Sequence, residues 1–220
     1  MLRAIHHFGI APGPVVQAHR SSLPEEVEAT TFVSGNGFAL VLEQWPTESG
    51  YANHSVRAFE SGQPFWQGLA KPTELYPLAR FTRTDGLWHG LDDEPAHRIV
   101  WGNSRPVRVL YAFSGPAGSD FANDIQTLET LREPGCEQFE YFVSVDDPSH
   151  HLLLELWRDQ YLYDRHWDLR LRTGTPQTTT LDPTDTVEFY RFAQFDCSYG
   201  WWHPTAEGPD LTPGTVLWSG

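Results

Sequence analysis

The chain has 220 residues, 40% of them hydrophobic and 14% aromatic, and this composition excludes disordered and fibrous proteins. Its 29 acidic and 15 basic residues give a formal net charge of -14, so neither nucleic acid nor an anionic membrane surface is expected as a partner, because both require a basic footprint. No apolar stretch has the length needed to cross a bilayer, and the first residues lack the apolar core of a signal peptide, which predicts a cytoplasmic protein.

The first half of the chain predicts the element order β-α-β-β-α-β. Apolar periodicity and turn residues predict a strand at 4–9, a helix at 15–23, strands at 27–34 and 38–45, a helix after Pro46 and a strand near 78–84. The turn Gly35-Asn36-Gly37 between the two central strands is a strong hairpin signal, because Asn and Gly accept the positive φ of a tight turn.

The second half predicts the same order. Its elements are a strand at 107–113, a helix from Ser119-Asp120 to about Arg132, strands at 137–145 and 151–157, a helix at 159–172 and a strand at 187–197. This order is that of the split βαβ, or ferredoxin-like, module. Segments rich in Pro, Gly or Thr predict a linker at 91–105, a loop at 173–186 and a tail at 204–220.

The two halves also repeat each other in sequence. The clearest match pairs Val41-Leu42-Glu43-Gln44-Trp45, Tyr51 and His54 with Leu153-Leu154-Glu155-Leu156-Trp157, Tyr163 and His166. The matched residues of the two runs lie 112 positions apart. Further matches pair Phe32-Val33-Ser34 with Phe142-Val143-Ser144, and Phe81 with Phe195. The constant order and the small drift in spacing indicate a duplicated module.

The C-terminal half resembles the antibiotic biosynthesis monooxygenase family over residues 134–166. That stretch carries the typical pieces of the family in order: a Pro134-Gly135-Cys136 helix stop, an Asp147-Pro148 turn, a Glu155-x-Trp157 strand end and a helix that closes on His166. Family members are ferredoxin-like modules whose sheets pair into a dimeric α/β barrel. The resemblance implies an α+β fold of two tandem βαββαβ modules, 1–104 with the linker and 105–220 with the tail, that form this barrel within one chain.

Aromatic residues at the end of the third strand are the first candidate site residues. In quinone-forming relatives, a Trp and a Tyr six positions later line the substrate cavity, and the resemblance implies this role for two pairs: Trp157 with Tyr163, and Trp45 with Tyr51. Those relatives also have an Asn before the Trp and an Arg beyond the helix, whereas this chain has Val41 and Leu153 and no clear Arg equivalent. Both Trp residues fit the structural alternative of core anchors equally well.

Histidines are the candidate bases. His54 and His166 are expected to deprotonate a hydroxylated substrate, because imidazole titrates near neutral pH and, once protonated, donates to a developing oxyanion. The structural alternative for each is a solvated residue near a helix end. Further candidates for substrate contact belong to the fourth strand of each half: Trp88, His89, Trp202 and His203. The chain has no HxH or HxxxH doublet, so no metal site is predicted.

The resemblance and these residues predict an oxygenase that acts on a polycyclic aromatic polyketide in natural-product biosynthesis. It would form a quinone or cleave a ring, as the angucycline ring-opening oxygenases do. Quinone formation of this type implies only O2 as co-substrate, whereas the ring-opening relatives imply reduced flavin as a diffusing co-substrate and a flavin reductase as partner. A tightly bound flavin in a Rossmann domain is not expected, because the chain has no Gly-rich dinucleotide fingerprint.

Two other classes of function stay open at this point. A cofactor-free polyketide cyclase or isomerase needs the same apolar cavity and base but no oxygen, and a non-catalytic module would bind an aromatic or heme ligand without turnover. The second module is expected to carry the activity, because it stands closer to the family pattern. With both modules in one chain, a monomer or a homodimer is expected.

Overall fold

The computed structural model describes residues 1–9, 13–84, 87–91, 106–121, 125–173, 187–198 and 201–204. Within them the chain forms an α+β fold with a large antiparallel sheet and short helices, so the expected α+β class is confirmed. The predicted linker from 92 to 105, loop from 174 to 186 and tail beyond 204 lie outside the described residues. No helix in the described ranges is long and apolar enough to span a membrane.

The elements follow one another along the chain in two similar runs. The first run is β1 (Leu2–Phe8), α1 (Pro14–Ser22), β2 (Glu28–Ser34), β3 (Ala39–Trp45), α2 (Glu48–Glu60), α3 (Pro64–Gln67), β4 (Thr73–Pro77), β5 (Arg80–Thr84) and β6 (Leu87–Gly90). The second run is β7 (Val107–Ser114), α4 (Ile125–Thr130), β8 (Cys136–Ser144), β9 (His150–Trp157), α5 (Gln160–Thr173), β10 (Val187–Arg191), β11 (Gln194–Ser198) and β12 (Trp201–Pro204).

Contacts divide the chain into two compact units. Unit 1 combines Met1–Leu78 with the segment that begins at Ala193, and its strands lie in the order β12-β11-β4-β1-β3-β2. Unit 2 is Ala79–Phe192, with the order β8-β9-β7-β10-β5-β6. Each unit thus has a sheet of ferredoxin-like order that is extended by a hairpin from the other run. The modules 1–104 and 105–220 stay a prediction about the repeat, because the units are divided at other residues.

Local signals explain where the helices of the site begin. Thr47 is the N-cap of α2, and its side chain accepts a hydrogen bond from the backbone N–H of Gly50 at 3.0 Å. In unit 2, Asp159 accepts from the backbone N–H of Leu162 at 2.9 Å at the start of α5. Both helices therefore start directly after the third strand, which brings their first turns next to the strand end.

Strand alternation places the candidate residues of unit 1 on one face of its sheet. β1 pairs antiparallel with β3, so that Leu2 is opposite Trp45, Ala4 is opposite Glu43 and His6 is opposite Val41. Opposite residues in neighbouring strands point to the same face, and every second residue shares it. The three helices cover this face, because Val16, Tyr51 and Phe65 pack in the same clusters as its side chains.

Unit 2 repeats this arrangement with one substitution that matters for the site. β7 pairs with β9, so that Val107 is opposite Trp157, Val109 is opposite Glu155 and Tyr111 is opposite Leu153. Tyr111 therefore occupies the position that His6 has in unit 1. The helix-covered faces of the two units differ in how many ionisable side chains they hold.

The fourth strands differ from the sequence prediction. The strand that pairs with β1 is β4 at 73–77 rather than the segment near 78–84, which instead forms the β5–β6 hairpin beside β10. The sequence prediction missed β4 because Thr73 and Glu74 are polar and polar residues indicate exposure. Both are buried, and they form hydrogen bonds with His6 and His7. The single strand predicted at 187–197 is two strands, β10 and β11, separated at 192–193.

The helix stop of unit 2 gives a stability prediction. Gly135 has a φ of 88°, and a Cβ there would overlap Leu162 Cδ1, whereas Gly118 has a φ of 82° with open space around it. Gly118→Ala is expected to cost about 1 kcal/mol of unfolding free energy from left-handed backbone strain. Gly135→Ala adds a steric overlap and is expected to cost about 2–4 kcal/mol, measured by urea denaturation. Equal costs for both variants would show that Leu162 moves aside freely.

Candidate active site

A Glu-x-Trp motif ends the third strand of each unit and forms the same hydrogen bond twice. Trp45 Nε1 donates to Glu43 Oε2 at 2.7 Å, and Trp157 Nε1 donates to Glu155 Oε2 at 2.7 Å. Residues two apart on a strand share a face, which allows this bond to form. Both Trp side chains are fully buried, so each carboxylate lies in the helix-covered interior of its unit.

In unit 1, buried histidines surround the Glu43 carboxylate. His19 of α1 donates from Nε2 to Glu43 Oε1 at 2.6 Å, and His6 Nε2 lies 3.4 Å from Oε2. His6 also contacts Thr73 Oγ1 through Nδ1 at 3.1 Å. Burial alone would raise the pKa of Glu43, but the charge of His6 and the hydrogen bond from His19 outweigh it and hold the pKa well below its ordinary value. Glu43 is therefore an ionised carboxylate in the protein interior.

Burial has the opposite effect on the histidine beside this carboxylate. The pKa of His6 is lowered chiefly because its ring is completely buried, and the attraction of Glu43 offsets this only in part. Two histidines and one indole thus share a single carboxylate.

In unit 2, the Glu155 carboxylate has fewer partners. Tyr111 stands in the place of His6, and the buried side chains of α4 are Thr127 and Thr130 rather than a histidine. Burial raises the pKa of Glu155 to about 7, because the charge of His166 and the hydrogen bond from Trp157 offset desolvation only in part. The same motif therefore holds an ionised carboxylate in unit 1 and a carboxyl group that is half protonated near neutral pH in unit 2.

Each predicted Trp, Tyr and His triplet comes together in the structure. Ring centroids lie 5.4 Å apart for Trp45 and Tyr51 and 5.3 Å apart for Trp45 and His54. The corresponding separations are 5.8 Å for Trp157 and Tyr163 and 5.0 Å for Trp157 and His166. His166 Nδ1 lies 3.0 Å from Glu133 Oε2, which gives this histidine a direct carboxylate partner. Rather than being solvated residues, both histidines pack against the indole.

A pocket of about 540 Å³ opens in unit 1 between the end of α1, the end of β3 and α2. Its lining includes Trp45, Asn53, His54, Arg57 and Gln63. Such a volume is in the range of small-molecule sites, and the mixture of an indole wall with a few polar groups is typical of them. Tyr51 is buried against Trp45 and is not among the lining residues.

His54 is the ionisable group that borders this pocket and has a displaced pKa. Burial, followed by the charge of His19, lowers the pKa of His54, and Glu43 opposes this shift while Arg57 adds to it. The Nε2 atom of His54 is buried and has no hydrogen-bond partner in the part of the chain described. Burial therefore favours the neutral imidazole of His54, whose ring borders the pocket.

Residues 111–169 match the model of the antibiotic biosynthesis monooxygenase family. The matched segment contains Glu155, Trp157, Tyr163 and His166, whose geometry is described above. This segment is similar to the antibiotic biosynthesis monooxygenase domain. The family resemblance predicted from the sequence is thereby confirmed.

Two solved structures align with most of the chain at low similarity. One is a protein from Lactobacillus acidophilus NCFM, provisionally named a monooxygenase, with 11% identity over 86% of this chain and 91% of that chain, at a TM-score of 0.31. The other, from Fusobacterium nucleatum subsp. nucleatum ATCC 25586 and provisionally named in the same way, has 11% identity over 87% and 91%, at a TM-score of 0.32. No curated protein matches the chain significantly.

The remaining predicted site residues have only their backbones described. Trp88 and His89 lie on β6, and Trp202 and His203 lie on β12; both strands are outside the matched segment 111–169. Their side chains are outside the described part of the structure. Within the described residues, no three His, Cys, Asp or Glu side chains are placed to hold a metal ion.

Sequence reasoning missed Arg57, Asn53 and His19 as neighbours of the candidate base. Arg57 could have been found, because it follows His54 by three positions on α2 and so shares its helix face. Its Nε donates to the backbone carbonyl of Asn53 at 2.9 Å, at the pocket wall. No local signal identifies His19, because it contacts Glu43 only through the packing of α1 on the sheet.

The contrast between the two carboxylates predicts opposite pH dependences of stability. With a folded pKa of about 7 against an ordinary 4.5, the native protein keeps a proton on Glu155 that the unfolded chain has released, so this group destabilises as pH rises through that window. Glu155→Gln removes this effect. Relative to the parent, its free energy of unfolding should rise by up to about 3 kcal/mol as the pH rises from about 5 to about 8.

Glu43→Gln is the matched variant in unit 1. Because the folded pKa of Glu43 is lowered, its ionised form contributes stability above the unfolded pKa of about 4.5, and this contribution is lost as pH falls below it. Glu43→Gln should therefore be less stable than the parent at about pH 8, with a difference that shrinks toward about pH 3. Denaturant unfolding across this pH range measures the unfolding free energy of both variants and the parent. If the differences of the two variants from the parent change with pH in the same direction, the assignment of opposite pKa shifts is wrong.

Proposed function

We propose that the protein is an oxygenase that binds a planar, hydroxylated aromatic molecule in the unit 1 pocket and deprotonates it with His54. The antibiotic biosynthesis monooxygenase domain supports an oxidoreductase of the monooxygenase type. The observation that carries the finer proposal is the pocket, where an indole wall, a neutral imidazole and a guanidinium meet.

Each of these three groups has a chemical role. Trp45 forms part of the apolar lining against which a flat ring system would bind. The imidazole of His54 at the pocket wall accepts the proton of a phenol or enol, which leaves an electron-rich anion. Arg57 stands on the same wall and stabilises the negative oxygen of that anion. The resulting carbanion-like ring position is the part of the substrate that reacts with O2.

The oxidation is balanced without a bound cofactor when the product is a quinone. A ring CH2 group becomes a carbonyl, so the substrate supplies four electrons to O2. One oxygen atom enters the product and the other leaves as water. In ring cleavage by insertion of one oxygen atom, the substrate supplies only two of the four electrons that O2 accepts. For that branch we propose that reduced flavin supplies the other two as a diffusing co-substrate, regenerated by a flavin reductase. A tightly bound cofactor is not part of either branch.

The structural context favours unit 1 as the reacting unit over unit 2, which the sequence had favoured. The pocket borders His54, whereas His166 is bonded through Nδ1 to Glu133 at 3.0 Å. Unit 2 would then stabilise the fold as the partner module. Pairing of the two modules into one barrel, a cytoplasmic location and a monomeric or homodimeric state are parts of the same proposal.

A cofactor-free cyclase or isomerase is the second candidate. The position at which quinone-forming relatives have an Asn is occupied by Val41 and Leu153, both buried and apolar. These positions provide no hydrogen-bond donor to an oxygen-derived anion. Proton abstraction by His54 suffices for a cyclisation or an isomerisation, so the two candidates differ only in oxygen use.

The first experiment follows O2 uptake and product mass for the purified chain with anthrones and hydroxylated angucyclines, with and without reduced flavin. His54→Ala is expected to lower turnover by about 10²–10⁴-fold, because it removes the general base. His166→Ala is the matched control in unit 2 and should stay within about threefold of the parent. A larger loss in His166→Ala would move the active site to unit 2, and a product of unchanged mass without O2 uptake would favour the cyclase or isomerase.

Arg57 gives a separate prediction at the same pocket. Arg57→Gln removes the positive charge that stabilises the substrate anion and should lower kcat/KM by about 10²-fold. Arg57→Lys keeps a charge with different geometry and should recover part of that loss. Equal activity of both variants and the parent would exclude a contact between Arg57 and the substrate oxygen.

A further inference from the structure

A buried histidine that no sequence signal identified lies behind the pocket base. His19 stands in the last turn of α1, and only 2% of its surface is exposed. Its ring stacks on Phe65 with a centroid separation of 3.5 Å and an interplanar angle of 14°. The stack fixes the plane of the ring, and the hydrogen bond from Nε2 to Glu43 at 2.6 Å fixes its rotation within that plane.

The rings that flank His54 are held by the same carboxylate. The centroid of His54 lies 6.1 Å from that of His19 and 5.3 Å from that of Trp45. Glu43 uses Oε1 for His19 and Oε2 for Trp45, at 2.6 and 2.7 Å. One buried carboxylate therefore fixes two of the walls against which the pocket histidine packs.

We propose that the buried His19–Glu43 pair is a positioning device that fixes the ring and the charge state of the pocket base His54. His19 is a positioning residue in this inference, because it acts on the substrate only through His54. The importance of this device for turnover rests on the proposed function, but its effect on His54 does not.

The charges around His54 come from several elements and act in opposite directions. His19 on α1 and Arg57 on α2 disfavour a proton on His54, whereas Glu43 on β3 favours it. His6 on β1 contacts Glu43, and Glu26 lines the pocket. Phe65 and Trp66 of α3 carry no charge. His19 and Glu43 thus act on the pKa of His54 in opposite directions, and burial, the largest cause, lowers it.

Unit 2 lacks this device, which makes it a property of unit 1. His166 packs on Trp157 as His54 packs on Trp45, with centroids 5.0 Å apart. Its carboxylate contact is direct, through Glu133 at 3.0 Å, and α4 contains no histidine. The two units thus surround the equivalent histidine with different polar groups.

The test is an NMR titration of the His54 ring in the full chain. His19→Gln keeps a donor for Glu43 but removes the ionisable ring, so the titration midpoint of His54 should rise by about half a pH unit or more. His7→Gln is the matched control, because His7 forms a similar buried pair with Glu74 at 2.9 Å on the other face of β1. It should leave the midpoint of His54 within about 0.2 pH unit of the parent.

A midpoint that stays unchanged in His19→Gln overturns the inference. If His19→Gln does not fold, His19→Phe, which can keep the stack on Phe65, replaces it in the same titration. The acid limb of the pH profile of kcat/KM should move in the same direction as the midpoint. A shifted midpoint in a chain without oxygenase turnover supports the inference and removes the proposed function. An unshifted midpoint in a chain whose turnover depends on His54 overturns the inference and supports the proposed function.

Discussion

The structure of unit 1 depends on how a carboxylate is accommodated in an apolar interior. An isolated ionised carboxylate at such a site would cost many kcal/mol, and a protein either neutralises it or surrounds it with donors. Glu43 has an indole, His19 and His6 around it, drawn from three separate elements. The placement of α1 and β1 relative to β3 is therefore fixed by polar contacts as well as by apolar packing. Removing one donor would leave a buried charge partly unsatisfied, which makes the cluster act as a whole.

The equivalent carboxyl group in unit 2 shows that the motif alone does not decide its charge. Glu155 has the same indole donor at the same distance, yet its pKa is about 7. The difference comes from residues far away in sequence, above all Tyr111 where unit 1 has His6. A duplicated sequence motif thus retains its local hydrogen bond while its ionisation follows the surrounding side chains. Functional divergence between two copies can arise in this way without any change in the motif itself.

Local patterns were sufficient for most of the element order, and long-range polar contacts account for what they missed. The hairpin at Gly37 and the helices after Thr47 and Asp159 follow from turn and capping residues. The strand β4 was placed too late, because its polar residues are buried by partners on β1 that the local pattern does not include. The same reason explains why Trp45 and His54 were identified as neighbours but His19 was not. Trp45 and His54 are nine positions apart on consecutive elements, whereas His19 belongs to α1.

The pocket of unit 1 lies beside the buried polar cluster around Glu43. Glu43 uses both carboxylate oxygens for His19 and Trp45, so this carboxylate is poorly available to a ligand. His54 stands at the edge of this cluster, where its ring packs against the indole of Trp45 and lines the pocket. A group at the edge of a rigid polar cluster has its geometry fixed from behind by the side chains that hold the cluster together. In unit 2 the equivalent ring is held differently, because His166 bonds directly to Glu133.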